Sequence, residues 1–336
     1  MQVLITGGSG SVGKAVVQRL VARGDQVKVI GRTRDLEIPG AVYEACDITD
    51  YPALRQALRG IDAVVHLAAI PHPAASTGEK IFQINVQGTF NIFKACEEEG
   101  IRRVVQASSI NAMGQLFGLK AAPLHYLPVD EEHPRTPTDA YSFSKYVIEE
   151  IGEYYWQRSG ISSIALRLPW VVPAEYHTTN PARQARAREL CDRLAKLSTE
   201  ERQAWFEGAW SRYNELRAQG IYENRASYQE AKSLHPDWFG DDWFAMSHRV
   251  NFWTCLDERD SAQAVEKGLV ANYEGSHVLF VNDDQNWTGL ASNLLAELFY
   301  PDVKVFKKEL VGTGTLVSID RAKELIGFEI EYTFGG

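Results

Sequence analysis

The chain has 336 residues with 35 basic and 44 acidic side chains, a formal charge of -9, and the 45% hydrophobic, 24% charged composition of an ordinary soluble globular protein. That balance gives broad nucleic-acid binding no electrostatic support, and no apolar run approaches the length needed to cross a bilayer. Cys46, Cys96, Cys191 and Cys255 lie far apart without Cys-x-x-Cys spacing, so the expectation is buried reduced thiols, with no metal and no disulfide framework.

The chain is long enough for one large α/β unit or for two domains. Gln2-Val3-Leu4-Ile5 reads as a buried parallel strand; because it begins at residue 2, no leader is expected and the protein is read as cytoplasmic. It runs into Thr6-Gly7-Gly8-Ser9-Gly10-Ser11-Val12-Gly13, and Lys14 to Val21 follows with helical spacing. Strand, glycine turn and helix in this order make a phosphate-binding turn. Gly7 permits the tight turn, Gly10 lets backbone amides approach a pyrophosphate, and Gly13 lets helix and strand pack closely. The helix N-terminus, from Ser11 and Val12, presents the positive end of its dipole to that phosphate.

Strands are expected at Gln26 to Ile30, Ala41 to Ala45, Asp62 to Leu67, Arg103 to Ala107 and Ile161 to Leu168, alternating with helices at Tyr51 to Arg59, Glu79 to Glu98 and Asp139 to Trp156. This alternation predicts an α/β fold, a doubly wound parallel sheet of the Rossmann type whose ligands bind beyond the carboxyl ends of the strands. After Pro173 the rhythm breaks, and residues 174 to 248 read as a helical insert. Ser198 and Glu201 have capping-box spacing there, ahead of a helix whose Trp205, Phe206, Trp210 and Tyr213 read as packing residues. Arg183, Arg186, Arg188 and Arg193 form either a solvated helical face or a site for an anionic substrate. Strand signals return at Val250 to Leu256 and at His277 to Val281, where the chain is expected to re-enter the sheet. Helices near Leu290 to Leu298 and Arg321 to Leu325 close it. The expected division is a dinucleotide-binding domain at 1–173 with re-entry at 250–284, and a smaller substrate-binding region at 174–249 and 285–336.

Tyr141 and Lys145 lie four residues apart and share one face of a predicted helix. A phenol ordinarily ionises near pH 10, so action at neutrality requires roughly 4 kcal/mol of differential stabilisation, part of which a nearby ammonium supplies. Such a pair is common on exposed helices, but here it follows a nucleotide turn and a strand ending in Ser108-Ser109, one of which can donate to a substrate oxygen.

These stretches together resemble the extended short-chain dehydrogenase/reductase family, also called the NAD-dependent epimerase/dehydratase family, over most of the chain except the insert. Thr6 to Gly13 is similar to its T-G-x-x-G-x-x-G signature, Asp47-Ile48-Thr49-Asp50 to its adenine-side segment, and His66-Leu67-Ala68-Ala69 to its fourth-strand motif. Asn85 to Thr89 matches its long-helix asparagine motif, and Ser108 to Gly114 and Tyr141 to Lys145 match its catalytic segments. The resemblance implies Tyr141 as proton donor or acceptor, Lys145 binding the nicotinamide ribose and lowering the tyrosine pKa, Ser109 polarising the reacting oxygen, and Asn85 supporting the lysine through a water. The plainer role of Asn85 is pairing with neighbouring backbone. Gly7, Gly10, Ser11, Val12, Gly13, Asp47, Ile48, Leu67, Ala68 and Ala69 are the implied cofactor contacts, and a homodimer through the two long helices is implied as well.

Departures narrow the chemistry. Ile110-Asn111 stands where the family's sugar dehydratases carry Asp-Glu, Trp170 replaces an asparagine common in nucleotide-sugar epimerases, and Pro173 replaces the usual glycine. Trp253 to Asp260 and Arg321 to Phe328 look more like uronate-dehydrogenase-like reductases. The expected activity is hydride transfer between a nicotinamide and a secondary alcohol or carbonyl of a sugar, sugar acid or related small molecule. The alternatives are an NAD-dependent sugar epimerase and a non-catalytic nucleotide-sensing protein. At the end of the second strand Gly31 stands where an NAD-preferring protein carries an acid, followed by Arg32, Thr33 and Arg34. NADP is therefore expected, with Arg32 and Arg34 facing a 2′-phosphate and NAD the alternative.

Overall fold

In the computed structural model, which describes residues 1–176, 181–223 and 225–333, the strand sequences assemble as β1 (Gln2–Thr6), β2 (Gln26–Gly31), β3 (Ala41–Ala45), β4 (Ala63–His66), β5 (Arg103–Ser109) and β6 (Ser162–Leu168), with short β7 (Val171–Val172) and β8 (Leu256–Asp257) and then β9 (Ser276–Phe280). One sheet has the order β3-β2-β1-β4-β5-β6-β9, every pair parallel. The α/β fold with a Rossmann-like parallel sheet is therefore present, and its order reverses direction beside β1.

Successive side chains of a strand point to opposite faces. Val3, Ile5, Val27, Val29, Val65, Val105 and Ile164 accordingly pack on one side, over α1 (Ser11–Arg23), while Leu4, Ile30, Val64 and Val104 pack on the other. On that second side lie α2 (Tyr51–Ala57), α3 (Gly78–Phe82), α4 (Gly88–Glu99) and α5 (Ala140–Ser159). Fully burying one such aliphatic side chain contributes about 1.5 to 3 kcal/mol, so both layers are held by the pattern itself. α5 starts where Asp139 accepts from Ser142 N at 2.8 Å and stops at Gly160, whose φ of 69° few other residues tolerate.

The helix expected over Glu79 to Glu98 is not uniform, because a π-helical turn at Gln83–Gln87 joins α3 to α4. The insert folds as α6 (Pro181–Ala195), α7 (Thr199–Ala218), α8 (Arg225–Leu234) and α9 (Asp241–Arg249). At the start of α7, Ser198 Oγ accepts from Glu201 N at 3.2 Å and Glu201 Oε2 accepts from Ser198 N at 2.8 Å, the reciprocal cap its spacing predicts. Phe206 and Tyr213 are buried, Trp205 and Trp210 pack against the same cluster, and these aromatics serve as core.

Val250 to Cys255 does not form the expected strand. Phe252 and Trp253 have φ of 55° and 52° and are fully buried, so the chain turns to put both rings into the insert's core. Left-handed backbone is costly for bulky residues, and the aromatic packing outweighs the extended preference read from their sequence. Only Leu256–Asp257 is extended, and it pairs with Val171–Val172 in a separate two-stranded sheet. α10 (Glu258–Val270) then returns to α1's side of the sheet and leads to β9; α11 (Ser292–Phe299) and α12 (Asp320–Ile326) follow. The four cysteines are free and buried, and among the described residues no helix is long and apolar enough to cross a membrane.

Candidate active site

A groove of about 670 Å³ crosses the carboxyl ends of β1, β2 and β4, walled by Gly7, Gly10, Ser11, Val12 and Gly13, by Arg32, Asp47 and Ile48, and by Leu67, Ala68 and Ala69. Its floor requires glycine. A Cβ on Gly7, where φ is +72°, would lie 2.8 Å from Ala68 N, and one on Gly13 would collide with Gly7 O and lie 2.6 Å from Gly8 Cα. Nothing nearer than 3.5 Å meets a Cβ at Gly10, so that position opens the groove rather than the packing. α1 has no side-chain cap, which leaves its leading amides at Ser11 to Gly13 without the usual cap partner on the groove wall. The Ser11 hydroxyl itself donates to Glu258 Oε2 at 2.5 Å.

At the far end Asp47 Oδ1 accepts from both Thr49 N and Thr49 Oγ1 at 2.8 Å. Burial works to raise the Asp47 carboxyl, but these bonds and the Arg32 and Lys80 charges hold it below the ordinary range. Arg32 and Thr33 line the groove, whereas Arg34 is exposed and is not among its wall residues. A Cβ at Gly31 would meet the Tyr43 hydroxyl at 3.0 Å, and that hydroxyl donates to Thr33 O at 2.7 Å. The shape, the uncapped amides and the anionic adenine-side corner fit a nicotinamide dinucleotide.

Tyr141, Ser109 and Lys145 come together where β5 meets α5. Ser109, last in its strand, caps the turn Ile110–Met113 by accepting from Asn111 N at 3.1 Å, and both it and Tyr141 line the same cavity. Its neighbour Ser108 points to the opposite face, donating to Glu149 Oε1 at 2.6 Å; Glu149 is further held by Arg167 and by Arg135. Lys145 Nζ donates to Ala107 O at 2.6 Å and lies 5.9 Å from the centroid of the Tyr141 ring. Burial brings the lysine down to about 8, opposed by Glu149. Burial also pushes the Tyr141 phenol up to about 12, with Asp139 adding to the rise and Ser109 opposing it. Burial, the largest of these influences, sets the phenol in this structure.

Asn85 hydrogen-bonds backbone and a neighbouring side chain. It sits in the π-helical turn, accepts from Ile70 N at 2.7 Å, and donates to Ile70 O at 3.1 Å and to Ser144 Oγ at 2.9 Å. It thereby ties the segment after β4 to α5 one residue before Lys145. Behind it, Thr89 donates to Asn85 O at 2.6 Å, so Thr89 Oγ1 receives the His66 Nε2 proton at 3.0 Å and His66 Nδ1 accepts from Thr6 Oγ1 at 2.7 Å. Burial, with the Lys145 charge, takes His66 down to about 3, which keeps this relay neutral.

A second cavity of about 640 Å³ is lined by Tyr141 and Ser109 and shares Pro71 with the groove. Trp170 and Val171 form one wall, and the insert supplies Arg183, Arg186, Phe239, Trp243, Phe244 and His248. Arg183 stacks its guanidinium 4.5 Å from the centroid of the Trp170 ring. Arg186 and Arg193 instead pair with Asp241, at 3.1 and 2.7 Å, and Arg188 points to Thr288 O. His248, packed on Phe244, Trp253 and Trp287, is brought down to about 3 by burial and by Arg183 and Arg186. Of the four arginines that the sequence offered as an anionic-substrate site, Arg183 and Arg186 line this cavity, whereas Phe239, Trp243, Phe244 and His248 carry no local motif.

The sheet, glycine turn and groove define a dinucleotide-binding protein of Rossmann-like architecture. Residues 3–196 match the model of the NAD dependent epimerase/dehydratase family, and the chain belongs to that family, whose cofactor is NAD(P). It is 32% identical over 180 residues to an L-arabinose 1-dehydrogenase (NAD(P)(+)) of Haloferax volcanii, covering 52% of this chain and 68% of that one. It is 31% identical over 179 residues to an N-acetyl-alpha-D-glucosaminyl-diphospho-ditrans,octacis-undecaprenol 4-epimerase of Escherichia coli O157:H7, covering 53% and 51%. Relatives thus divide between dehydrogenases and epimerases. Among solved structures, a short-chain dehydrogenase/reductase superfamily protein from Agrobacterium tumefaciens with bound NAD superposes with a TM-score of 0.63 at 20% identity, covering 99% of this chain and 94% of that one, which is a likeness of fold.

Proposed function

We propose that the protein is an NAD(P)-dependent oxidoreductase acting on a secondary alcohol or carbonyl of a sugar, sugar acid or related small molecule. The observation that carries this reading is the position of Ser109 and Tyr141 on the wall of a second cavity adjoining the dinucleotide groove, with Lys145 beside them. When bound, the nicotinamide accepts or returns the hydride. Ser109 Oγ orients the reacting oxygen, Tyr141 gives or takes its proton, and the Lys145 ammonium holds the cofactor's ribose and steadies developing negative charge on the phenol. With its phenol near 12, Tyr141 is protonated at neutral pH and poised to donate in the reducing direction.

In this reading residues 1–173 with the return at 250–284 bind the dinucleotide, and 174–249 with 285–336 shape the substrate side. Trp170 occupies space beside the reacting centre, and Arg183 faces the cavity with its fork stacked on that ring, which favours a compact anionic substrate such as a sugar acid. NADP is the proposed preferred cofactor, with Arg32 as its determinant.

The test follows cofactor absorbance while purified protein is offered sugars, sugar acids, lactones and hydroxyketones. A dehydrogenase changes the redox state of free cofactor in proportion to substrate. An epimerase converts the sugar with no net change, and a nucleotide-sensing protein binds cofactor without converting anything. Tyr141→Phe is expected to lower turnover at least about a hundredfold with cofactor affinity nearly unchanged, since only the hydroxyl is lost. Turnover close to native in that variant would remove Tyr141 from the chemistry.

A further inference from the structure

Helix α7 lies in the insert, yet its last turn reaches the loop that follows Ser109. Arg217 there is fully buried. Its Nη1 donates to Gln115 O at 2.7 Å, its Nη2 to Phe117 O at 2.7 Å and to Lys120 O at 3.0 Å, and its Nε to Gly118 O at 3.1 Å. A buried charge is tolerated only where its hydrogen bonds are made, and one guanidinium here engages four carbonyls of a single loop. The loop has no helix or strand of its own to fix it, and Gly118 bends it with φ of +92°.

Phe117 is the part of that loop that meets the reacting centre. Its ring packs edge-on to Tyr141 at 5.7 Å between centroids and to Tyr222 at 5.6 Å, and it lines the substrate cavity. Tyr222 is in turn linked to Tyr213 by a 2.7 Å bond between hydroxyls, and Tyr213 stands one helical turn before Arg217. Helix α7 therefore grips the loop twice, at its carbonyls through Arg217 and at the Phe117 ring through the tyrosine pair.

We propose that Arg217 is a positioning residue for the reaction: by holding the carbonyls of the 115–120 loop it sets Phe117 against the Tyr141 ring and so fixes where the phenol hydroxyl meets the substrate. The assignment rests on the hydride-transfer reading of this cavity. Misplacement of a reacting group by about 1 Å can cost about a hundredfold in rate.

Arg217→Met keeps most of the volume and removes all four bonds. Its kcat is expected to fall by about ten- to a hundredfold, while cofactor affinity, measured by titration without substrate, stays native because neither Arg217 nor the 115–120 loop lines the dinucleotide groove. Hydrogen exchange of the 115–122 amides is expected to accelerate while that of β1, β4 and β5 does not change. Added guanidinium is expected to restore part of the kcat of Arg217→Ala, a recovery that general damage to the fold does not produce. Native kcat and native loop exchange in Arg217→Met would overturn the proposal. Should the arginine variants fail to fold, Phe117→Leu keeps the four Arg217 bonds and removes the ring contacts with Tyr141 and Tyr222: kcat is expected to fall, and native kcat there overturns the proposal equally. Absence of hydride transfer in the native protein counts against the function reading alone, since loop exchange in Arg217→Met still decides whether the clamp exists.

Discussion

Arg32 is exposed at the end of β2, on the groove wall, and its charge reaches the Asp47 carboxylate across that groove. The neighbouring Gly31 leaves no acid at that position to hold a ribose diol, the Tyr43 hydroxyl sits 3.0 Å from where its Cβ would stand, and the Arg32 guanidinium is the cationic side chain on this stretch of the groove wall. A charge-assisted bond to a phosphate contributes about 1.5 to 3 kcal/mol, or roughly ten- to a hundredfold in preference. NADP is accordingly expected to exceed NAD in kcat/KM by that factor, and Arg32→Ala is expected to remove the difference. Comparing both cofactors in both proteins measures it; a tenfold native preference for NAD that survives the substitution would refute the assignment. Arg34, grouped with Arg32 by its spacing alone, is exposed and off the groove wall.

His66 joins three elements: it accepts from Thr6 on β1, it is itself part of β4, and it donates to Thr89 on α4. Its folded-state pKa, about 3, lies below the ordinary value of about 6.5. Above pH 6.5 neither folded nor unfolded chain carries the proton. Below it the unfolded chain takes up a proton that the folded chain refuses, so stability is lost as pH falls from about 6.5 towards 3. Between pH 7 and 4.5 the native protein is expected to lose on the order of a few kcal/mol more than His66→Gln, whose amide can also bridge the two threonines. Urea unfolding of both proteins at the two pH values measures this, and identical losses would show that His66 does not carry the effect.

The same scale separates what is legible in the sequence from what is not. The Thr6 to Gly13 turn, Ser109 and the Tyr141–Lys145 pair are readable because each depends on residues a few positions apart, within one turn or one helix. Arg217 acts on carbonyls about a hundred residues earlier in the chain, and Trp253 leaves its expected strand for a core built by α7, α9 and α11. No local spacing encodes such partners. The rise of the Tyr141 phenol likewise follows from burial by distant segments, Phe117 among them, whereas the Tyr-x-x-x-Lys spacing reports only the lysine.

For the whole molecule, α3, α4 and α5 leave a strip of half-exposed aromatics. Phe82 is 38% exposed, Phe90 41%, Phe143 44% and Tyr154 45%; Phe82 stacks on Phe143 at 5.8 Å and Phe90 on Tyr154 at 6.4 Å. Exposed rings on three neighbouring helices favour burial against another surface. Sedimentation velocity at micromolar concentration is expected to give a homodimer, and the double change Phe90→Asp with Phe143→Asp is expected to give a monomer. A monomeric native protein would rule out this face as a self-association surface. Because α5 carries Phe143 and Tyr154 outward and Tyr141 and Lys145 inward, such a pairing would brace the reacting groups from behind.

The clamp at Arg217 also bears on how this architecture can be recombined. Residues 1–145, which carry the dinucleotide groove with Ser109, Tyr141 and Lys145, and residues 170–253, which supply most of the cavity's aromatic wall, are contiguous blocks of the chain. Residues 115–120 belong to the first block by position and to the second by bonding, since four of their carbonyls accept from Arg217 on α7. A graft of the insert that leaves this loop behind delivers a guanidinium without acceptors and acceptors without a guanidinium. The transferable unit is the helix together with the six residues it holds.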